Sequence, residues 1–245
     1  MNCQLTLKIL VDKWLNSNHI CQLCLNPALQ HYPLCHGCET ELPWLINACS
    51  HCALPLPGPG LTCTRCTYAP APFDAVIAPW QYRFPIDTLV SRFKHRRQWP
   101  LGRLMVDALA QALTHRYGDG LPRPDLLLPV PMARRRLRQR GFNQAGLLGR
   151  WLSQQLQVPY SERWLLRSRD TAAQQTLDAR ARQRNLRNAF TLAPCAAPAG
   201  RHLALIDDVF TTGATAQALA ALLRAAGAVR VDVYCLARTP RPAPA

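Results

Sequence analysis

Two adjacent carboxylates, Asp207 and Asp208, stand just ahead of a run of small residues, Thr211, Thr212, Gly213, Ala214 and Thr215. Neighbouring carboxylates accept hydrogen bonds from sugar hydroxyls, directly or through a magnesium ion. A strand that ends in a tight turn before a helix aims several backbone N–H groups, and the positive helix end, at one anion. Gly213 lets the backbone come close, and the threonine hydroxyls can bond phosphate oxygens. The chemistry implied is capture of a phosphorylated sugar with Mg2+. An ordinary strand–helix junction with an N-cap is the plainer alternative, and the full ordered pattern argues against it.

A second chemical group is metallic. Four CxxC pairs occur, Cys21/Cys24, Cys35/Cys38, Cys49/Cys52 and Cys63/Cys66, with successive pairs starting 14 residues apart. CQLCLNPALQHYPLCHGC and CSHCALPLPGPGLTCTRC are two versions of one 18-residue unit, so the region is a repeat. Two thiolates separated by two residues reach one ion from a tight turn, and two such turns complete a tetrahedron. A disulfide scaffold requires an oxidising compartment, and a catalytic dithiol requires a thioredoxin-like setting; neither is indicated. The expectation is two structural zinc sites of four thiolates each, with no open position for water or substrate. Sequential pairing is favoured, but the even spacing also permits an interleaved arrangement. His31, His36 and His51 read as surface residues, because eight cysteines already complete two sites. Cys3, Cys195 and Cys235 read as ordinary, with Cys235 in the core.

Charge supplies a third signal. The formal net charge is +15, and 26 of 29 basic residues are arginine. Such an excess suits phosphate-rich partners, although codon bias and general solubility explain part of it. Arg134, Arg135, Arg136, Arg138 and Arg140 follow the apolar run DLLLPVP directly. They therefore emerge at the carboxyl end of a strand, where open α/β folds bind ligands. Arg180, Arg182, Arg184 and Arg187 form a looser second group, in a segment where Gln175, Arg184 and Asn188 are candidate contacts. A solvated helix face explains that group about as well.

The elements that must position these residues follow from periodicity. Residues 74–80, 125–131, 202–208 and 229–237 read as strands, several of them continuously apolar and hence buried on both faces. Residues 86–117, 141–157, 175–188 and 214–226 read as helices. Alternation of the two implies a parallel sheet covered on both sides. Nine of the eleven cysteines precede residue 67, and 55–72 is rich in Pro, Gly and Ala. The boundary is therefore placed near residue 70, with a cysteine-rich double zinc-ribbon module at 1–70 and an α/β domain at 71–245. The 49% hydrophobic and 18% charged fractions exclude a disordered chain, and no apolar run is long enough to span a membrane. Lys8 and Asp12 interrupt what would be the apolar region of a signal peptide, so a cytoplasmic location is expected.

The thirteen residues LALIDDVFTTGAT (203–215) resemble the phosphoribosyl-pyrophosphate (PRPP) signature of type I phosphoribosyltransferases. DLLLPVPMARRRLRQRGFNQA (125–145) and TAAQQTLDARARQRNLRNAF (171–190) are similar to the ComF/GntX family of competence and DNA-utilisation proteins. Members of that family carry CxxC-type zinc ribbons ahead of a phosphoribosyltransferase-like domain, so the resemblance covers nearly the whole chain. It implies a type I phosphoribosyltransferase-like parallel sheet flanked by helices, preceded by a small zinc-ribbon module. It implies that Asp207 and Asp208 face the ribose hydroxyls and that Thr211 to Thr215 wrap the 5′-phosphate. Pro131–Arg136 would hold the pyrophosphate, through Arg134 and Arg135 above all, and a loop within 171–190 would close over the substrate. The implied ligand is PRPP or a related nucleotide, with Mg2+ and two Zn2+. Single-stranded DNA and a DNA-uptake or DNA-processing protein are the further partners it suggests. Transfer would displace pyrophosphate by a nitrogen nucleophile, with positioning and charge neutralisation doing most of the work. No dedicated general base and no acceptor-recognising element are evident. Pentosyl transfer, non-catalytic sensing of PRPP or a nucleotide, and nucleic-acid binding remain the alternatives.

Overall fold

The computed structural model describes residues 20–28, 34–167 and 189–240. The chain divides into two compact units, Met1–Leu42 and Pro43–Ala245. The composition boundary near residue 70 marks where the cysteine repeats end; the unit boundary falls between the two repeats.

The repeat in sequence is a repeat in backbone. Isolated bridges join Ile20 to Pro27 and, 28 residues later, Ala48 to Pro55. Within them Cys21 N–H donates to the Asn26 carbonyl at 2.7 Å, and Cys49 N–H to the Leu54 carbonyl at 2.8 Å. Each second CxxC opens a one-turn helix, α1 (His36–Thr40) in the first unit and α2 (Thr64–Tyr68) in the second.

The second unit carries strands β1 (Ala75–Ile77), β2 (Trp80–Gln81), β3 (Leu126–Pro129), β4 (Leu165–Arg167), β5 (Phe190–Leu192), β6 (His202–Phe210) and β7 (Arg230–Arg238). Its longer helices are α3 (Ile86–Arg96), α4 (Trp99–Gly118), α5 (Arg134–Arg140), α6 (Gln144–Leu156) and α7 (Ala214–Ala225). The main sheet has the order β1-β7-β6-β3, with β2 also on β7. Every pairing in it is parallel. β6 and β7 are its interior strands, which is why their apolar runs are continuous rather than alternating. On one face Leu203, Leu205, Val231 and Val233 share a core with Leu219, Ala220 and Leu223 of α7. On the other, Tyr117 of α4 donates a hydroxyl hydrogen bond to Tyr234 of β7, and Gly149 of α6 lies against Ile206.

The element reading needs five corrections, the first being that the strand expected over 74–80 is two short strands, β1 and β2. The helix expected over 86–117 is two helices, because Arg97 turns left-handed at φ 54° and Pro100 starts α4 in its first turn, where a proline costs no helical hydrogen bond. β6 runs two residues further than expected, pairing Val209 and Phe210 with Ala237 and Arg238. The antiparallel pair β4–β5 was not read, since three-residue strands carry no usable period. The arginine run after β3, assigned to no element by its sequence pattern, is helical. The helix expected at 175–188 lies outside the described residues. No helix among the described residues is long and apolar enough to cross a membrane.

Candidate functional site

The eight CxxC cysteines gather as Cys21, Cys24, Cys35 and Cys38 in the first unit and as Cys49, Cys52, Cys63 and Cys66 in the second. Within each group all four sulfurs lie within 4.8 Å of one another. Of the two pairings the spacing permits, the structure has the sequential one. Cys24 and Cys35 sulfurs are 3.6 Å apart, and Cys52 and Cys63 sulfurs 3.7 Å. A tetrahedron with Zn–S bonds of about 2.3 Å has edges of about 3.8 Å, whereas a disulfide would bring sulfurs to about 2 Å. Backbone N–H groups serve the sulfurs too: Cys38 N–H donates to Cys35 Sγ and Cys63 N–H to Cys49 Sγ. Burial works to raise the Cys49 thiol, but the N–H groups of Cys63, Cys52 and His51 outweigh it and bring it down to about 7. Cys21 falls to about 6 for the same reasons, with Cys35, Cys24 and Leu23 as donors. Cys38 and Cys66 are pushed up, by burial first and then by neighbouring sulfurs. Four converging thiols, some already inclined to ionise, are the donor set of a structural zinc site, and each cluster can hold one ion.

The two clusters differ in setting. The first has one buried cysteine, Cys21; in the second all four are buried. The second shares its core with Phe73, Phe210 and the α7 face of the sheet.

The sugar-phosphate candidates lie at the carboxyl end of β6. Asp207 is half-buried there, and its Oδ1 accepts the Asp208 N–H at 2.8 Å. Burial, and then the Asp208 carboxylate beside it, push Asp207 up to about 7. Asp208 Oδ2 lies 2.9 Å from Lys94 Nζ of α3, with both side chains largely shielded from water. Gly213 follows at φ 76° and caps α7. A Cβ at that position would collide with the Phe210 ring, so both the backbone conformation and the packing demand glycine. Thr212 Oγ1 accepts the Ala214 N–H at 3.4 Å, and the first intrahelical bond runs from Gln217 N–H to the Gly213 carbonyl. The N–H groups of Thr215 and Ala216 precede that bond and point out of the helix end. Thr211 and Thr212 are exposed.

Parallel register brings the arginine run to the same end of the sheet. Pro129 pairs with Ile206, and Val130 N–H donates to the Ile206 carbonyl at 2.9 Å. Arg134 and Arg135 then open α5 with exposed side chains. None of the five arginines of α5 is ion-paired to a described residue. Gln175, Arg180, Arg182, Arg184, Arg187 and Asn188 lie outside the described residues.

Three contributors escaped the sequence reading. Lys94 left one trace, being the sole lysine beyond residue 13. Arg238 is buried at the end of β7. Its Nε donates to the Cys52 carbonyl at 3.0 Å, and its Nη1 to the carbonyls of Phe210 and Thr211 at 3.1 and 2.7 Å. His51 is half-buried rather than a surface residue: it stacks on Phe73 at 5.1 Å, and its buried Nε2 has no hydrogen-bond partner among the described residues. His36 is exposed, and His31 lies outside the described residues.

No protein-family model matches the chain. It is, however, 38% identical over 222 residues to the DNA utilization protein YhgH of Salmonella typhi, covering 90% of this chain and 97% of the relative. The chain belongs to the ComF/GntX family. Competence protein F of Haemophilus influenzae is 34% identical over 211 residues, covering 84% of this chain and 90% of that one. Among solved structures, adenine phosphoribosyltransferase from Leishmania tarentolae matches 54% of this chain and 70% of its own, at 19% identity and a TM-score of 0.36. That likeness is partial, and the α/β architecture rests on the strand order of this family member itself.

Proposed function

We propose that the carboxyl end of β6 binds a phosphorylated ribose, PRPP or a related nucleotide, with Mg2+. The observation that carries this reading is one strand end that presents two carboxylates and then turns through Gly213 into the N-terminus of α7. Asp207 and Asp208 accept the ribose hydroxyls or hold Mg2+, and Thr211 to Thr215 surround the phosphate. Lys94 holds the Asp208 carboxylate in place until sugar or cation takes it over. Arg134 and Arg135, delivered to the same end of the sheet, suit the pyrophosphate as bidentate donors. Zn2+ in each four-cysteine cluster stabilises the fold around it. The names of the relatives support a role in DNA utilisation or competence, in the handling of imported DNA or its nucleotides.

Calorimetric titration of Mg·PRPP into zinc-loaded protein and into the Asp207→Asn/Asp208→Asn variant tests the reading. Binding by the parent, lost in the variant, is expected; no binding by the folded parent refutes it. Product analysis with a panel of bases, ammonia and amino donors then separates pentosyl transfer from sensing.

A second reading is favoured by a specific feature. The exposed arginines of α5 adjoin Trp99, which is 38% exposed and packs at 4.7 Å on Phe142, and Arg97 donates to the Arg140 carbonyl. Cations beside an exposed aromatic suit single-stranded nucleic acid. Binding with a steep salt dependence, lost on replacing Arg134, Arg135 and Arg138 but indifferent to Asp207→Asn, identifies it.

A further inference from the structure

We infer that Arg238 is a positioning residue that ties the phosphate loop to the second four-cysteine cluster, so that metal held by Cys49, Cys52, Cys63 and Cys66 sets the shape of that loop. The inference deepens the proposed sugar-phosphate site and rests on that reading for its ligand.

Two physical links run between cluster and loop. The first is the Arg238 guanidinium. One edge grips the Cys52 carbonyl inside a CxxC turn, and Nη1 grips the carbonyls of Phe210 and Thr211 on the opposite side. It also lies 5.0 Å over the Phe210 ring. No described carboxylate pairs with this buried cation, so peptide carbonyls and the ring carry its compensation. Four thiolates around a divalent ion leave a net charge of about −2, which complements a buried guanidinium bonded to the Cys52 carbonyl. Arg65, between the ligands Cys63 and Cys66, adds a donor to the Thr212 carbonyl at 3.5 Å.

The second link is a ring stack. His51, inside the first CxxC of this cluster, lies on Phe73; Phe73 meets Phe210 edge-to-face at 5.7 Å. Phe210 in turn is the ring that leaves room only for glycine at 213. A cavity of about 310 Å3 lies between the two sides, lined by Cys52, Arg65, Phe73, Thr211 and Gln217 among others. Loss of the ion releases the turn that holds the Cys52 carbonyl and His51, and both links loosen at once. Because coupling between two binding events is reciprocal, phosphate held in the loop tightens metal in this cluster by the same factor.

Amide hydrogen exchange on the zinc-loaded full chain tests the tie without needing a ligand. The reporters are the ends of β6 and β7, where Thr239 N–H bonds the Phe210 carbonyl. Cys49→Ser/Cys63→Ser is expected to speed exchange there by about tenfold or more, while Cys24→Ser/Cys35→Ser in the first cluster leaves it unchanged. Arg238→Lys keeps the charge but loses the fork. It should speed exchange in the same peptides while the Co2+ thiolate absorption of the second cluster stays intact. Unchanged exchange at these ends after metal loss, or after Arg238→Lys, overturns the inference. In a parallel arm, Mg·PRPP is expected to raise Co2+ affinity of the second cluster about tenfold in the parent and not in Arg238→Lys. If Mg·PRPP fails to bind the metal-loaded parent, the sugar-phosphate reading falls, and the exchange result still decides the tie.

Discussion

Two cysteine clusters built from one 18-residue unit stand in different surroundings. The first lies in the small unit, with three of its four ligands at least partly exposed. The second has all four buried, shares a core with the sheet, and lends a carbonyl to Arg238, which also bonds the carbonyls of Phe210 and Thr211. Repetition in sequence thus predicts the ligand geometry of both clusters and says nothing of which one is integral to the main domain. Burial and neighbours decide that.

The sharpest way to break this comparison is to remove one ligand from each. Cys63→Ser in zinc-loaded protein should lower the main thermal transition by roughly 10 °C or more, because a structural metal within a core carries folding free energy. Cys35→Ser should leave that transition within about 2 °C. Scanning calorimetry reads both, and equal shifts would erase the distinction.

A smaller effect probes the loop alone. Gly213→Ala imposes a left-handed backbone on a residue with a Cβ and drives that carbon into Phe210. The cost is about 2–4 kcal/mol in urea unfolding. Adding Phe210→Leu should return part of it, since only the collision, not the backbone penalty, is relieved.

The fold was legible where residues follow a simple rule. The buried runs at 202–208 and 229–237 announced interior parallel strands, and CxxC spacing announced two four-cysteine clusters. The strand-to-helix turn at Gly213 was legible because a glycine among small residues after an apolar run marks such a turn. Lys94 and Arg238 were not, because each acts across the fold, on a partner more than a hundred residues away in sequence. No local period marks such a contact. His51 was misjudged for a related reason: its ring is held by Phe73, which only tertiary packing brings near.

Lys94 offers the next test. With its ammonium 2.9 Å from Asp208, it competes with any cation for that carboxylate. Lys94→Gln should let Mg2+ alone bind about tenfold more tightly in calorimetry, and an unchanged affinity would remove Lys94 from the site.

The smallest effect concerns pH. Asp207 sits at about 7 in the fold, whereas a free aspartate ionises near 4. The native state therefore holds a proton that the unfolded chain releases, and stability falls as pH rises between those values. Asp207→Asn removes that penalty. Its thermal midpoint should exceed the parent's by a few degrees at pH 8 and match it at pH 4, and a pH-independent difference would show that Asp207 is not strained by burial.

The most direct measurement is a crystal structure of the zinc-loaded protein with Mg·PRPP. The predicted result places the 5′-phosphate among the N–H groups and hydroxyls of Thr211 to Thr215, with ribose hydroxyls or Mg2+ on Asp207 and Asp208. Ligand density at α5 or elsewhere, with the end of β6 empty at saturating ligand, would contradict the assignment.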